Sequence, residues 1–356
     1  MITISLCMIV KNEEESLGRC LASVKEAMDE IIIADTGSTD RTKEIAESFG
    51  AKVYDFPWID DFGAARNFSF SKATQKFIMW LDADDVLGDE DLQGLLALKQ
   101  QKPFDYDSVT MNYVLTVDQK GNPVYSLRRN RLVRRSCGFQ WHGPVHEYLA
   151  VSGSVYNSDI AVRHRKERTH TDRNLQIYLK RKEKGENFSP RDQYYFANEL
   201  RDNGRYAEAI DMYEQFLNTR LGWVEDEIGA CMKQAFCYGQ LMQREKQMQA
   251  LFRTLVYDLP RAEFCCQLGN VFMESGRWQQ AIHWFRQATL LEVPAHLLSP
   301  IDHASWTWLP HLQLTVCYDR IGDRERALAH HEETKKLNPE HPSVKFNENY
   351  FNNLAQ

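Results

Sequence analysis

A chain of 356 residues, 43% hydrophobic and 26% charged, has the composition of an ordinary folded protein, and its length suggests two domains. With 43 Lys and Arg against 50 Asp and Glu the net charge is −7, which argues against a generic nucleic-acid binder. The eight cysteines form no CxxC pair, and Cys265 and Cys266 stand adjacent without zinc-ligand spacing. They predict buried free thiols in a reducing, cytoplasmic compartment. The apolar first ten residues follow no basic segment and run into Lys11-Asn12-Glu13-Glu14-Glu15, so they read as a buried strand rather than a signal peptide. No apolar run approaches the ~20 residues of a membrane span.

The first hundred residues alternate strand and helix. Ile2 to Val10 is an apolar run of strand length, and Leu17, Cys20, Leu21 and Val24 recur at helical spacing. Glu30 to Ala34 is a β-branched second strand. Ser38-Thr39-Asp40 caps a helix carrying Ile45 and Phe49, which Gly50 stops. Lys52 to Phe56 forms a third strand, Gly63 to Thr74 a helix, and Phe77 to Leu81 a fourth, fully apolar strand. Repeated βα units with buried strands predict a mostly parallel sheet covered on both faces. In such sheets ligands bind beyond the carboxyl ends of the strands. Those ends carry Lys11-Asn12-Glu13, Asp35-Thr36-Gly37 and Asp82-Ala83-Asp84-Asp85. Alternation from Val109 to Val117, a Gly121-Asn122-Pro123 turn and a return from Val124 to Val133 predict an antiparallel hairpin added to the sheet.

From about Thr169 onward the chain reads as helical, with no further strand-like run. Asn203-Gly204-Arg205-Tyr206 with Ala209, Ser275-Gly276-Arg277-Trp278 with Ala281, and Ile321-Gly322-Asp323-Arg324 with Ala327 share their offsets. A degraded copy near Gln243-Arg244 lacks both the glycine and the alanine. Gly, a bulky residue and Ala at these positions, with spacing near 34 residues, are the signature of tetratricopeptide repeats. The expected organisation is a domain over 1–168, a connecting helix or linker over 169–186, and helical repeats over 187–356.

Three Asp-x-Asp pairs occur. Asp82/Asp84 follows a buried strand directly and is placed to share a hard divalent cation with phosphate oxygens. Asp89/Asp91 falls in the first turn of a helix, a favourable dipole position, and Asp105/Asp107 sits in a polar, solvated loop. Asp35, read as an exposed carboxylate, can accept from a nucleobase or ribose, and Arg66 can pair with phosphate or a base. Arg128, Arg129, Arg131, Arg134 and Arg135 crowd the second hairpin strand, some facing solvent and others able to face an anionic ligand. In Trp141-His142-Gly143-Pro144-Val145-His146-Glu147 the Gly-Pro step breaks the helix a zinc hydrolase would need, which favours acid–base chemistry over zinc. A salt bridge from Glu147 to a hairpin arginine is the structural alternative. His164 lies among cations where a diphosphate can bind.

Met8-Ile9-Val10-Lys11-Asn12-Glu13-Glu14, Asp35 to Asp40, Asp61 to Asn67, Asp82 to Asp85 and His142 to Glu147 together resemble family-2 glycosyltransferases of the GT-A fold, over roughly residues 1 to 175. With the repeats, the chain is similar to the sublancin-type peptide glycosyltransferases. The resemblance implies an inverting transfer of glucose or N-acetylglucosamine from a UDP-sugar to a Cys, Ser or Thr side chain. It implies donor binding by Val10, Glu13, Asp35, Arg66, Asp82, Ala83 and Asp84. A Mg²⁺ or Mn²⁺ would be held by Asp84 and His164, with Glu147 as base or His146 in its stead. Partners would be the UDP-sugar and a peptide or protein acceptor, with a homodimer possible through the repeats, no nucleic acid and no membrane span. Two other readings remain open: transfer to a saccharide or surface glycan, and a non-catalytic tetratricopeptide scaffold.

Overall fold

The computed structural model describes residues 2–117, 121, 123–165, 172–294 and 301–354. The chain divides into two compact units, one comprising 1–117 and 125–185, the other 118–124 and 186–356. In the first, β1 (Ile4–Val10), α1 (Leu17–Val24), β2 (Glu30–Asp35), α2 (Thr42–Ser48), β3 (Lys52–Asp55), α3 (Phe62–Ser71) and β4 (Phe77–Trp80) follow the expected alternation. Next come β5 (Asp85–Leu87), α4 (Asp89–Gln100), β6 (Ser108–Val117), β7 (Pro123–Arg134), β8 (Trp141–His142), β9 (Tyr148–Leu149), β10 (Val155–His164) and α5 (Arg173–Glu183). The α5 helix, expected to be a connector, belongs to this first unit. The turn at residue 122 and the junction at 166–171 lie outside the described residues.

The main sheet runs β3-β2-β1-β4-β7-β6-β10-β5, with β8-β9 a separate ribbon. β1, β2, β3 and β4 pair in parallel, so their carboxyl ends share one edge. β7 pairs antiparallel with β4, which puts the hairpin in the middle of the sheet rather than at its margin. Strand alternation sorts β1 by face: Ile4, Leu6, Met8 and Val10 join the core with α1 residues Leu17 and Leu21, while Cys7 joins Phe70, Trp80 and Trp141 on the other side. Each fully buried Leu or Ile there contributes about 2 kcal/mol of apolar burial.

The second unit is helical: α6 (Pro190–Asp202), α7 (Tyr206–Thr219), α8 (Val224–Gln240), α9 (Arg244–Arg253), α10 (Ala262–Glu274), α11 (Trp278–Ala288), α12 (Trp308–Arg320), α13 (Arg324–Leu337) and α14 (Pro342–Leu354), with a two-residue strand at Ile301–Asp302 that the helical reading did not foresee. A capping box between Ser189 and Asp192, with Pro190 in the first turn, starts α6. Each expected repeat turn joins two packed antiparallel helices. Gly204, Gly276 and Gly322 hold φ of +74°, +69° and +83°, left-handed values that glycine adopts freely. Ala209, Ala281 and Ala327 are fully buried at the close approach of each pair.

The degraded copy keeps this geometry with other residues. Met242 occupies the glycine position at φ +58°, and Gln247 replaces the small alanine. Gly239 on the facing helix supplies the missing room, since a Cβ there would lie 2.8 Å from the Gln247 amide nitrogen. Met242 is 89% exposed, so it gains no packing in return for its strained backbone. A left-handed non-glycine residue costs about 1–2 kcal/mol. Met242→Gly is therefore expected to raise stability by about 1 kcal/mol, after the added entropy of glycine in the unfolded chain. Urea denaturation of the full chain checks this, and an unchanged midpoint would show that the turn carries no such strain.

Candidate active site

Three carboxylates leave β4 in succession, and each meets a different partner. The backbone N–H of Asp82 donates to Asp85 Oδ2 at 3.0 Å, while the N–H of Asp85 donates to the Asp82 carbonyl at 3.0 Å, so the turn is closed on itself. Asp85 is buried and paired with Arg131 Nη1 at 3.0 Å. Asp84 Oδ1 lies 3.3 Å from His164 Nδ1, and Asp85 Oδ1 lies 3.5 Å from it. Because β10 pairs antiparallel with β5, His164 stands opposite Asp85 in register, and the N–H of Arg165 donates to the Asp84 carbonyl at 2.8 Å. Close pairing with the Asp84 carboxylate first, and with that of Asp85, lifts the His164 imidazole to about 10. Its immediate neighbours are thus carboxylates and the Tyr113 hydroxyl at 3.1 Å, not the cations its sequence context suggested. Arg163 is engaged by Asp91 on α4, while residue 166 lies outside the described residues.

Asp82 is held by Arg66. The guanidinium donates from Nη2 to Asp82 Oδ1 at 2.7 Å and from Nε to Glu147 Oε1 at 2.6 Å. Its Cζ lies 5.0 Å from the Trp80 ring and 4.8 Å from that of Trp141. Burial pushes the Asp82 carboxyl upward, but the charges of Arg66 and Arg131 outweigh it and hold the group well below its ordinary 3.8. The partner of Glu147 is thus Arg66 on α3, not an arginine of the hairpin as the structural alternative supposed. The neighbouring Asn67 clamps Trp141 through both backbone groups, at 2.9 and 2.8 Å. Asp61 caps α3 by accepting from the Ala64 N–H at 2.8 Å. At Gly63 a Cβ would fall 2.6 Å from the Gly143 carbonyl oxygen, so only glycine lets the 143–147 segment lie this close to α3. No helix forms between His142 and His146, consistent with setting zinc aside, and His146 takes φ +51°.

At the ends of β1 and β2, Val10 accepts from the N–H and hydroxyl of Thr36 at 2.9 and 3.0 Å. Glu13 accepts from the Ser16 hydroxyl at 2.8 Å, and Asn12 and Ser38 lace the two loops together. Asp35 is buried rather than exposed as its loop position had suggested. Its Oδ2 accepts from the N–H groups of Gly37 and Ser38 at 3.0 and 2.9 Å, which leaves Oδ1 without a hydrogen-bond partner among the described residues. Asp40, not Ser38, serves α2, accepting from the Thr42 N–H at 3.0 Å. Ala83 is buried within the turn.

The remaining expectations sort by burial. Asp91 ties α4 to β10 through the Ala161 N–H at 2.7 Å as well as sitting in a helical first turn. Asp107 is not merely solvated, since it accepts from the Ser154 N–H at 2.9 Å. Seven of the eight free cysteines are buried, while Cys137 is exposed. No helix among the described residues is long and apolar enough to cross a membrane. Asp85, Tyr113 and Arg131 were not singled out for the site. The signal available was the fourth position of Asp82-Ala83-Asp84-Asp85 and, for Arg131, its place directly before the apolar Leu132-Val133.

Removing Arg66 leaves the half-buried Asp82 and Glu147 carboxylates without their shared, buried counter-charge. Arg66→Met is expected to cost about 3 kcal/mol or more. A carboxyl whose folded pKa is depressed contributes stability that is complete above its unfolded pKa and is lost as pH falls through the folded value. Asp82 therefore adds a loss of stability below about pH 4 in the native chain that the Arg66→Met variant lacks. Denaturant titrations at pH 6 and below pH 4 check both, and an unaltered acid limb would separate Asp82 from Arg66.

Residues 5–158 match the family described as Glycosyl transferase family 2, and residues 311–343 match Tetratricopeptide repeat. A TPR repeat-containing protein of Synechococcus elongatus is 42% identical over 149 residues, 42% of this chain and 36% of that protein. The SPbeta prophage-derived glycosyltransferase SunS of Bacillus subtilis is 28% identical over 235 residues, 61% of this chain and 53% of SunS. The matched stretch thus spans about a third to a half of the length of these relatives. Among solved structures, glucosyl-3-phosphoglycerate synthase from Mycobacterium tuberculosis in complex with Mn²⁺ and UDP-glucose is 16% identical with a TM-score of 0.36, over 53% of this chain and 81% of that one. MamA is 16% identical with a TM-score of 0.36, over 46% and 81%. The chain thus carries a glycosyl transferase family 2 domain over residues 5–158 and a tetratricopeptide repeat over residues 311–343.

Proposed function

We propose that the chain is an inverting, metal-dependent glycosyltransferase that moves glucose or N-acetylglucosamine from a UDP-sugar to a Cys, Ser or Thr side chain of a peptide. The observation that carries this reading is the convergence of Asp84, Asp85 and His164, whose ligand atoms lie within 4.8 Å of one another beside the Arg66–Asp82–Glu147 cluster. Two carboxylates and one imidazole suit Mg²⁺ or Mn²⁺ completed by phosphate oxygens, and Asp85 Oδ1, buried with only His164 Nδ1 near it at 3.5 Å, supports such an occupant. Asp84 and His164 would hold the ion, His164 as the neutral imidazole once its proton has left, and the bound ion would supply positive charge to a departing diphosphate.

The chain's own residues account for the rest. Asp35 Oδ1 is suited to accept from the uracil N–H or a ribose hydroxyl, next to Val10 and Glu13 on the same sheet edge. Asp82 and Ala83 line the donor turn, and Arg66 fixes it. In the transfer, an acceptor hydroxyl or thiol gives its proton to a base, its freed electron pair forms the bond to the anomeric carbon, and the bond to UDP breaks with its electrons leaving on the diphosphate. Glu147 is the base we assign, with its Oε1 fixed by Arg66 and its second oxygen thereby oriented; His146, one residue earlier, is the second choice. Similarity to SunS supports the activity class. The helical repeats support a peptide acceptor, since stacked helix pairs form a surface able to take an extended segment.

Intact-mass analysis of Cys- and Ser-containing peptides incubated with UDP-glucose, UDP-N-acetylglucosamine and Mg²⁺ or Mn²⁺ is expected to show addition of one hexose or N-acetylhexosamine. Saccharide products with every peptide unmodified would overturn the acceptor assignment. Asp84→Asn is expected to lower transfer by about 100-fold or more through loss of a charged oxygen ligand. Near-normal turnover by that variant without added metal would remove the metal role.

A thiol has a reference pKa near ~8.5 and is partly ionised at neutral pH, whereas a serine hydroxyl is not. Glu147→Gln is accordingly expected to slow transfer to serine by ~10²–10⁴-fold and to cysteine by much less. Rates with matched Ser and Cys peptides across pH decide this. Equal losses would move the base to another residue, with His146 next.

A further inference from the structure

Arg131 is fully buried on β7, and its contacts hold the turn that follows β4. Its Nη1 donates to the Trp80 carbonyl at 3.3 Å and pairs with Asp85 Oδ2 at 3.0 Å. Its Cζ is 3.9 Å from the Trp80 ring centroid and 4.3 Å from that of Tyr113, so aromatic faces flank the cation where water cannot reach it. Nε and Nη2 have no hydrogen-bond partner among the described residues. Asp85 Oδ2 also accepts from the Asp82 N–H at 3.0 Å, whereas Oδ1 accepts no hydrogen bond and lies 3.5 Å from His164 Nδ1.

We propose that Arg131 is a positioning residue that sets the charge and the ligand count of the cation site: by occupying Asp85 Oδ2 it turns Asp85 into a neutralised, one-oxygen contributor and leaves Asp84, which faces only the His164 imidazole, as the carboxylate available to the ion. The proposal rests on the metal reading above. The three carboxylates of the turn then divide by partner. Asp82 answers Arg66, Asp85 answers Arg131, and Asp84 faces His164. A site of that low net charge binds a hard cation weakly by itself and depends on diphosphate oxygens to complete it. On this charge balance Asp84, Asp85 and His164 would hold the cation chiefly when a nucleotide diphosphate is bound beside them.

Charge bookkeeping makes this testable without any sugar transfer. Removing the guanidinium takes one positive charge from beside the cation and frees Asp85 Oδ2, so Arg131→Met is expected to bind Mn²⁺ at least about tenfold more tightly. Asp85→Asn leaves the guanidinium unbalanced and is expected to bind at least about tenfold more weakly. Arg131→Met/Asp85→Asn removes one charge of each sign and is expected to return to within about threefold of the native chain, as is Arg131→Lys, which keeps the charge.

The measurement is Mn²⁺ binding to the full-length protein by electron paramagnetic resonance, with and without UDP. Native Mn²⁺ binding is also expected to tighten markedly when UDP is added. A purely structural Arg131 predicts the opposite sign, weaker binding by Arg131→Met as the turn loosens, and that result overturns the proposal. Should Arg131→Met fail to fold, Asp85→Asn and the double variant decide the matter, because a double variant no closer to native than Asp85→Asn is equally fatal. A native chain that transfers sugar and binds Mn²⁺ while the variants show no ordering by charge defeats this proposal alone. A native chain that binds no Mn²⁺ even with UDP defeats the metal reading and this proposal with it.

Discussion

The Arg66 guanidinium lies between Asp82 at 2.7 Å and Glu147 at 2.6 Å, with indole rings of Trp80 and Trp141 about it. An ammonium could reach either carboxylate, but the planar fork of arginine sends separate N–H groups toward both while stacking against aromatic surface. Taking such a charge out of water is costly, and it is tolerated here because two opposite charges and two ring faces replace the lost hydration. The consequence is positional. The helix α3, the turn after β4 and the segment before β9 can occupy no other mutual arrangement without stranding a buried charge. Asn67, one residue on, repeats the constraint in neutral form by clamping the Trp141 backbone.

The sheet order explains why the remaining partners are available. A purely parallel sheet would place only loop residues at its carboxyl edge. Inserting β7 antiparallel beside β4 brings an arginine from the body of a strand up beneath the Asp82–Asp85 turn, and pairing β10 with β5 sets His164 opposite Asp85. The site is therefore built half from loops after parallel strands and half from side chains on rigid strands, which hold geometry more strictly than loops do.

Much of this organisation was legible in the sequence. Strand and helix periodicity located the βα units to within a few residues, and the shared offsets of Gly and Ala revealed the repeats because each repeat solves the same close-packing problem. Composite motifs also pointed to Asp82, Asp84, Glu147 and His164. What the sequence hid was pairing between distant residues. Glu147 was weighed against a nearby hairpin arginine, whereas its partner sits on α3. Asp35 read as exposed because it ends a strand in a polar loop, but the backbone N–H groups of Gly37 and Ser38 fold over it. Arg131 was one of five similar arginines, and alternation alone does not say which of them a sheet will bury. In the repeats the hidden element was compensation: Met242 keeps a left-handed turn without glycine, and Gly239 makes room for Gln247 across the helix pair.

The Asp82–Asp85 turn has a bearing on how the molecule reaches its native state. Its three carboxylates meet partners from α3, β7 and β10, elements spread along most of the first unit's chain. Until α3 and β7 pack, Asp82 and Asp85 repel each other in one tight turn, and until β10 docks Asp84 lacks its imidazole, so local sequence alone cannot settle it. Contacts that close long loops form late, because the loop entropy must be overcome before the contact rewards it. The turn is thus a checkpoint in assembly: nascent chains ending before residue 164 would leave β5 without its strand partner and Asp84 without its imidazole, and the order of the cluster would report completion of the whole sheet.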